Sequence, residues 1–227
     1  ARNYHDPDTF SKEQAAIFQR SWLLAGHATS VPSPTGACAV EVGGRSVLLV
    51  RPEGGELRAF HNTCRHRAAP LLWADTAAAC KTLRCRYHGW RYGLDGALLA
   101  TPSFGESVSG EDSGLWPVHL RQWRGLLFVN FDADPLPLKT LISGIDAATV
   151  GLPLEAMVAF KTARHTLRCN WKTYVENYLE GYHIPVLHPS LNQEISMRDY
   201  RVEMAGRCAI HQVPTRDGAL NQGFWAW

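Results

Sequence analysis

Two short stretches carry the residue types that bind metal. Cys64-Arg65-His66 is followed, after eighteen intervening residues, by Cys85-Arg86-Tyr87-His88, so each stretch offers one thiolate and one imidazole. Two thiolates and two imidazoles can hold a tetrahedral zinc. They can also hold a two-iron, two-sulfur cluster with both cysteines on one iron and both histidines on the other. Zinc modules of this composition usually segregate the types, Cys pair first and His pair second, whereas here they interleave. Interleaving suits a cluster clasped between two loops. His66-Arg67-Ala68-Ala69-Pro70-Leu71 supplies a proline turn behind the first pair, and Gly89-Trp90 with Asp95-Gly96 supplies a second loop and a hairpin turn.

A second constellation lies downstream, at Glu180, His183 and His188. On a continuous helix the two histidines would point about 140° apart, at about 100° per residue. They share a metal only if the helix breaks between them, and Gly181 and Pro185 supply such a break. Glu180, about 60° from His183 around the helix, can approach the same centre. Two imidazoles and a carboxylate with open positions form the facial site of mononuclear iron(II) oxygenases. The competing reading is ordinary histidines at a helix C-terminus, where the dipole favours them.

Other elements must position these groups. Ser11-Lys12-Glu13-Gln14 fits a capping box and predicts a helix over residues 11–22, before a linker broken by Pro32, Pro34 and Gly36. Val40, Val42, Val47, Leu49 and Arg51 around Gly43-Gly44 predict a hairpin, with further strands over 56–61, near 82–85 and over 123–131. Beyond Asp134-Pro135-Leu136-Pro137 the spacing predicts a short helix over 139–145 and a strand over 159–167. A helix over 171–180 follows, capped by Asn170, and 223–227 reads as the middle of a strand. No internal repeat is visible.

With 227 residues, the chain has room for one large or two small domains, and 45% hydrophobic with 19% charged residues is the make-up of an ordinary globular protein. A formal net charge of +2 predicts no large electrostatic partner, and the absence of a Lys/Arg run sets nucleic acid aside. The opening residues lack the apolar core of a signal peptide, and no stretch approaches the roughly 20 apolar residues of a membrane span. The expectation is a cytoplasmic protein with no membrane partner. Cys38, Cys80, Cys169 and Cys208 show no paired spacing and read as free thiols.

On these motifs residues 64–88 resemble a Rieske iron-sulfur domain, and the whole chain resembles the large (alpha) subunit of a Rieske non-haem iron oxygenase. Residues 170–189 are similar to that family's iron-binding helix and loop, 4–27 to its N-terminal lead-in, and 85–98 to its second cluster loop. Where respiratory Rieske proteins carry bracing cysteines and a sulfur-binding serine, this chain has Ala69, Tyr87 and Trp90, which points to the oxygenase or ferredoxin branch.

The resemblance implies an α+β fold in three parts. Residues 1–38 would be an N-terminal helix and linker packing on the catalytic domain, 39–134 a small all-β Rieske domain, and 135–227 the N-terminal part of a helix-grip catalytic domain. It implies a [2Fe-2S] Rieske cluster on Cys64, His66, Cys85 and His88, and a mononuclear Fe(II) on His183 and His188. Glu180 would be the acid that joins His88 of one subunit to His183 of another. A homotrimer, alone or with small subunits, an NAD(P)H-dependent reductase or ferredoxin, a small-molecule substrate and dioxygen complete the expectation. The activity expected is hydroxylation or N-demethylation, against the alternatives of an aromatic-ring dihydroxylating subunit or a pure electron carrier.

Three departures stand out. Arg65 and Ala68 occupy positions where Pro and Gly are commoner, which would shift that loop's backbone. Glu180 replaces the usual Asp, as in the branch acting on quaternary ammonium substrates. The third iron ligand of the family is a carboxylate expected beyond residue 227, and neither Asp199 nor Asp217 is assigned to it.

Overall fold

The structure, a computed structural model, describes residues 2–103, 113–161, 163–217 and 225–226. Its first helix, α1 (Pro7–Glu13), opens on a proline, whose fixed φ and missing N–H suit the first helical position, and has Asp8 in its first turn. A π-helical turn carries it to Phe18. The helix thus starts before the expected cap at Ser11, because the proline fixes an earlier start, and it ends short of Trp22.

Ten short strands follow: β1 (Leu23–His27), β2 (Gly36–Val42), β3 (Arg45–Arg51), β4 (Arg58–His61), β5 (Ala77–Ala79), β6 (Thr82–Arg84), β7 (Arg91–Gly93), β8 (Leu98–Ala100), β9 (Pro117–Trp123) and β10 (Leu126–Asn130). Seven of them pair antiparallel in the order β1-β10-β9-β4-β3-β2-β5, and the other three form a small sheet, β6-β7-β8. Gly43 and Gly44, at φ 58° and 75°, make the two-residue turn of the expected β2-β3 hairpin. The strand expected over 123–131 is shorter, because Arg124 and Gly125 also take positive φ and turn the chain between β9 and β10.

The large sheet is buried on both faces. Ala37, Ala39, Leu48, Val50 and Phe60 pack with Leu83, Trp90, Tyr92 and Leu94, on the side of the cysteine-bearing loops. The alternate residues Cys38, Val47, Leu49 and Ala59 pack with Val118, Leu127 and Val129 on the other face. Each Val, Leu or Phe among these contributes roughly 1.5–3 kcal/mol by its burial. Both ligand loops therefore spring from the most tightly packed part of the chain.

The remaining elements are α2 (Leu138–Ala148), α3 (Trp171–Tyr178), α4 (Ile184–Leu187), α5 (Pro189–Glu194) and the antiparallel strands β11 (Arg201–Ala205), β12 (Cys208–Val213) and β13 (Trp225–Ala226). Of the strand expected over 223–227, residues 225–226 are β13, and 223, 224 and 227 lie outside the described residues. The strand expected over 159–167 is not formed among the described residues. Alternation alone makes no strand without a neighbour to accept its hydrogen bonds, and Phe160 is 95% exposed.

The chain divides into two compact units, one of Asp8–Pro135 with Pro153–Ala163, the other of Ala1–Pro7, Leu136–Leu152 and Arg164–Trp227. In the second, the N-terminal segment is tied to α3. The Tyr4 hydroxyl donates to Glu176, Asn170 Nδ2 donates to the Tyr4 carbonyl at 3.4 Å, and Lys172 lies 5.2 Å from the Tyr4 ring centre. No helix among the described residues is long and apolar enough to cross a membrane.

Candidate metal centres

The two Cys-His stretches fold as twin loops. In the first, Cys64 N–H donates to the Ala69 carbonyl at 2.9 Å and Ala68 N–H donates back to Cys64 at 3.0 Å. In the second, Cys85 N–H donates to Trp90 at 2.8 Å and Gly89 N–H to Cys85 at 3.0 Å. The fifth residue of each loop, Ala68 at φ 57° and Gly89 at φ 75°, is left-handed. Ala68 thus holds the conformation that Gly89 holds in the second loop, at a strain of about 1 kcal/mol.

The loops present their side chains to one another. Cys64 and Cys85 are buried, and the His66 and His88 ring centres lie 4.6 Å apart. His66 is stacked on Trp90 at 4.9 Å, which fixes its plane. Burial raises the Cys64 thiol above its ordinary pKa and adjacent Cys85 pushes the same way, opposed by the Tyr92 hydroxyl and the His66 backbone. Burial, His88 and Arg67 lower the pKa of His66, which favours the neutral, ligating imidazole at neutral pH. Two facing thiols and two facing imidazoles fit a [2Fe-2S] group with one kind of ligand on each iron.

Two supporting residues escaped the sequence reading. Tyr92 is fully buried, and its hydroxyl lies 3.3 Å from Cys64 Sγ while accepting the Arg65 N–H at 3.0 Å. That backbone donor leaves the hydroxyl proton free to point at sulfur. A proline at position 65 would have no N–H to give. Arg65 also stacks on Trp116 at 4.0 Å and donates to the Gly114 carbonyl at 3.1 Å. Asn62 closes the base of the loop, accepting from Leu71 and Leu72 N–H and donating to the Leu72 carbonyl and Ser46 Oγ. Lone polar residues in a strand-like stretch carry no spacing signal, so only their burial reveals them.

In the second unit Asn170 caps α3 as expected, accepting from Lys172 N–H at 3.1 Å. The helix ends at Leu179, before both histidines rather than between them, and Pro185 sits in the first turn of α4 instead of stopping a helix. His183 and His188 stand at the two ends of the single-turn α4, with ring centres 5.3 Å apart. Glu180 Oε1 accepts from His183 Nδ1 at 2.5 Å, and Oε2 takes the His183 N–H at 3.3 Å. Burial works to raise the Glu180 carboxyl, but these bonds outweigh it and hold the pKa below the usual value. With Nδ1 so engaged, Nε2 is the His183 nitrogen left for a metal.

Tyr174, Tyr178, Glu180, His183, His188 and Tyr200 are among the residues lining a cavity of about 540 Å³, within the range of small-molecule sites. The Tyr200 ring packs on Gly181, where an added Cβ would sit 2.3 Å from Tyr200 Cζ, and its hydroxyl meets buried His211 Nδ1 at 2.5 Å. This Tyr-His pair, also unforeseen, seats the Glu180–His183 turn from below. Among the described residues no three His, Cys, Asp or Glu side chains converge on one metal position. A cluster needs only two protein ligands per iron, and in the pocket Glu180 is turned to His183 rather than to the space between the imidazoles. The histidine pair fits a mononuclear metal that takes its further ligands elsewhere.

Two families of known proteins match the chain. The family profile of the Rieske [2Fe-2S] domain matches residues 21–122, and that of the ring hydroxylating alpha subunit (catalytic domain) matches 154–223. The carnitine monooxygenase oxygenase subunit of Escherichia coli (strain K12) is 31% identical across 100% of this chain and 64% of its own length. Choline monooxygenase, chloroplastic, of Beta vulgaris is 30% identical over 92% of this chain and 48% of its own. A solved quaternary ammonium Rieske monooxygenase superposes with a TM-score of 0.85 at 25% identity, over all of this chain and 65% of the other. The chain thus spans less than two thirds of these relatives.

Proposed function

The chain belongs with the Rieske oxygenase alpha subunits, carrying a Rieske [2Fe-2S] domain and part of a ring-hydroxylating catalytic domain, and on that premise we propose that it acts in oxidising a small quaternary ammonium compound. The cofactors of those domains are a Rieske [2Fe-2S] cluster and a mononuclear iron; when bound, the first supplies single electrons and the second activates dioxygen. Cys64, Cys85, His66 and His88 would hold the cluster. His183, through Nε2, and His188 would hold the iron, and both residues line the cavity of about 540 Å³.

The observation that carries the reading is the Glu180–His183 contact. A carboxylate on His183 Nδ1 orients the ring and strengthens its other nitrogen as a ligand. The same carboxylate, part-exposed, would accept a second N–H from His88 of a neighbouring copy in a head-to-tail trimer. Inter-subunit electron transfer is described for the solved quaternary ammonium monooxygenase. The substrate class rests on the relatives, which act on carnitine and choline, and on the tyrosines of the cavity, whose faces attract a cationic ammonium. An NAD(P)H-dependent reductase or a ferredoxin would deliver the electrons.

Glu180→Gln tests this role. Both metals are expected to bind, by iron content and by the reduced cluster's EPR signal, while oxidation of carnitine, choline or glycine betaine slows by roughly 10- to 100-fold. Near-normal turnover would remove Glu180 from the path. Oxidation of naphthalene in place of these trimethylammonium compounds would move the protein to the arene-oxidising branch.

A further inference from the structure

Helix α3 is eight residues long and buries none of its side chains. So short a helix has little stability of its own, since isolated helices below about 12–15 residues are marginal in water. Yet its direction matters at two places. Tyr174, Asn177 and Tyr178, at positions i, i+3 and i+4, line the cavity. Glu180 leaves its C-terminus directly after the cap at Leu179. How the helix lies therefore decides where the carboxylate on His183 stands.

The other side of α3 meets a residue far away in sequence, Tyr4, on the short 3-10 turn Arg2–Tyr4. Glu176 lies about 160° around the helix from both Tyr174 and Tyr178, at about 100° per residue, and it accepts from the Tyr4 hydroxyl. Lys172, one turn earlier on the same side, lies 5.2 Å from the Tyr4 ring centre, and Asn170, the N-cap, donates to the Tyr4 carbonyl at 3.4 Å. One residue thus touches the cap, the first turn and the last turn. The tie runs on toward the histidines. The Glu176 carbonyl accepts the Leu179 N–H at 3.2 Å, Glu180 comes next, and Glu180 takes both the N–H and the Nδ1 of His183.

We propose that Tyr4 is a positioning residue for the iron site: through Glu176 it splints α3 and so sets the Glu180–His183 turn, touching neither metal nor substrate. The inference rests on the iron reading of His183 and His188. Without the hydroxyl the helix keeps its cap and the ring contact with Lys172 but loses the bond at its last turn, the one nearest Glu180. One hydrogen bond corresponds to roughly 2- to 10-fold in the balance between a splinted and a loosened helix.

The test uses the cluster-loaded protein before mononuclear iron is added. Amide hydrogen exchange is read at Leu179 and His183, and Fe(II) alone is then titrated anaerobically by calorimetry. In Tyr4→Phe both amides are expected to exchange roughly 2- to 10-fold faster, with Fe(II) bound more weakly by a similar factor. Glu176→Ala is expected to match it, and the two together to do no more than either alone, because they break one bond. Glu176→Gln keeps an acceptor for the hydroxyl and is expected to behave as wild type. The cluster's visible absorption should be the same in every variant.

Faster exchange at both amides with weaker Fe(II) binding, absent in Glu176→Gln, supports the splint. Faster exchange at Leu179 with His183 and Fe(II) binding unchanged overturns it and leaves Tyr4 a residue of helix stability only. Unchanged exchange in Tyr4→Phe, or additive effects in the double variant, overturns it as well. Wild type that takes up no Fe(II) would instead fail the iron reading, and exchange at His183 still decides whether Tyr4 sets the turn.

Discussion

Cys64 and Cys85 are 1% and 2% exposed beneath two antiparallel sheets, whereas the cavity at His183 and His188 is bordered by Tyr178 and Leu187 at 53% and 66%. The first centre is held by backbone: the same pair of hydrogen bonds closes each loop, and Asn62 and Tyr92 pin the loops to the core. The second is held by side chains on short helices, with Glu180 on His183 and Tyr200 under Gly181. A backbone-held site tolerates change outside its ligands; a side-chain-held site depends on each contact. The cluster region is thus a finished socket, and the iron region a turn whose geometry rests on few atoms.

The largest expected effect is at the proposed cluster ligands. Cys85→Ser should abolish the cluster, since an alkoxide is a poor substitute for thiolate at iron. Visible absorption and the reduced-state EPR signal should be lost, while iron binding at His183 and His188 persists. Loss of both metals together would break the contrast and make the two regions one cooperative site.

The second effect belongs to the turn. Gly181→Ala places a Cβ against the Tyr200 ring and should cost roughly 1–3 kcal/mol by overpacking. Mononuclear iron affinity should fall while the cluster spectrum stays as in wild type. Adding Tyr200→Ala should recover part of the loss, because the two residues are in contact and couple. Independent, additive effects would dismiss Tyr200 as the seat of the turn.

How much of this was legible in advance follows from the same contrast. The Gly43-Gly44 hairpin and the Asn170 cap are local devices, written in adjacent residues, and they formed as expected; the Cys-His motifs are local in the same sense. Tyr92, Asn62 and the Tyr200–His211 pair act on residues distant in sequence, so their roles exist only after folding. The helix break was foreseen at Gly181 and Pro185 but fell at Leu179. A proline suits the first turn of a new helix as well as the end of an old one. The expected strand over 159–167 has no pairing strand among the described residues, which its own alternation could not reveal.

Tyr92 offers a smaller test, on redox rather than assembly. With Arg65 N–H occupying one lone pair, the hydroxyl donates to Cys64 Sγ. A donor to sulfur favours the more negative, reduced cluster. Tyr92→Phe should keep the cluster and lower its potential; a bond worth about 1 kcal/mol corresponds to roughly 40 mV for one electron. An unchanged potential in a redox titration would make Tyr92 a packing residue only.

The smallest effect probes whether the twin loops are equivalent. Ala68 and Gly89 hold the same left-handed position, but only glycine does so without strain. Around Gly89 the nearest atoms to an added Cβ are 3.7 Å away, so the backbone angle alone decides the cost there. Ala68→Gly should therefore stabilise by about 1 kcal/mol and Gly89→Ala should destabilise by a similar amount. For a unit of this size each corresponds to about 2–4 °C in the thermal midpoint, with opposite signs. Equal and opposite shifts, with the cluster's absorption unchanged in both, would establish one loop geometry used twice. Shifts of the same sign would mean that the sheet beneath, not the loop, sets the conformation at one of the two positions.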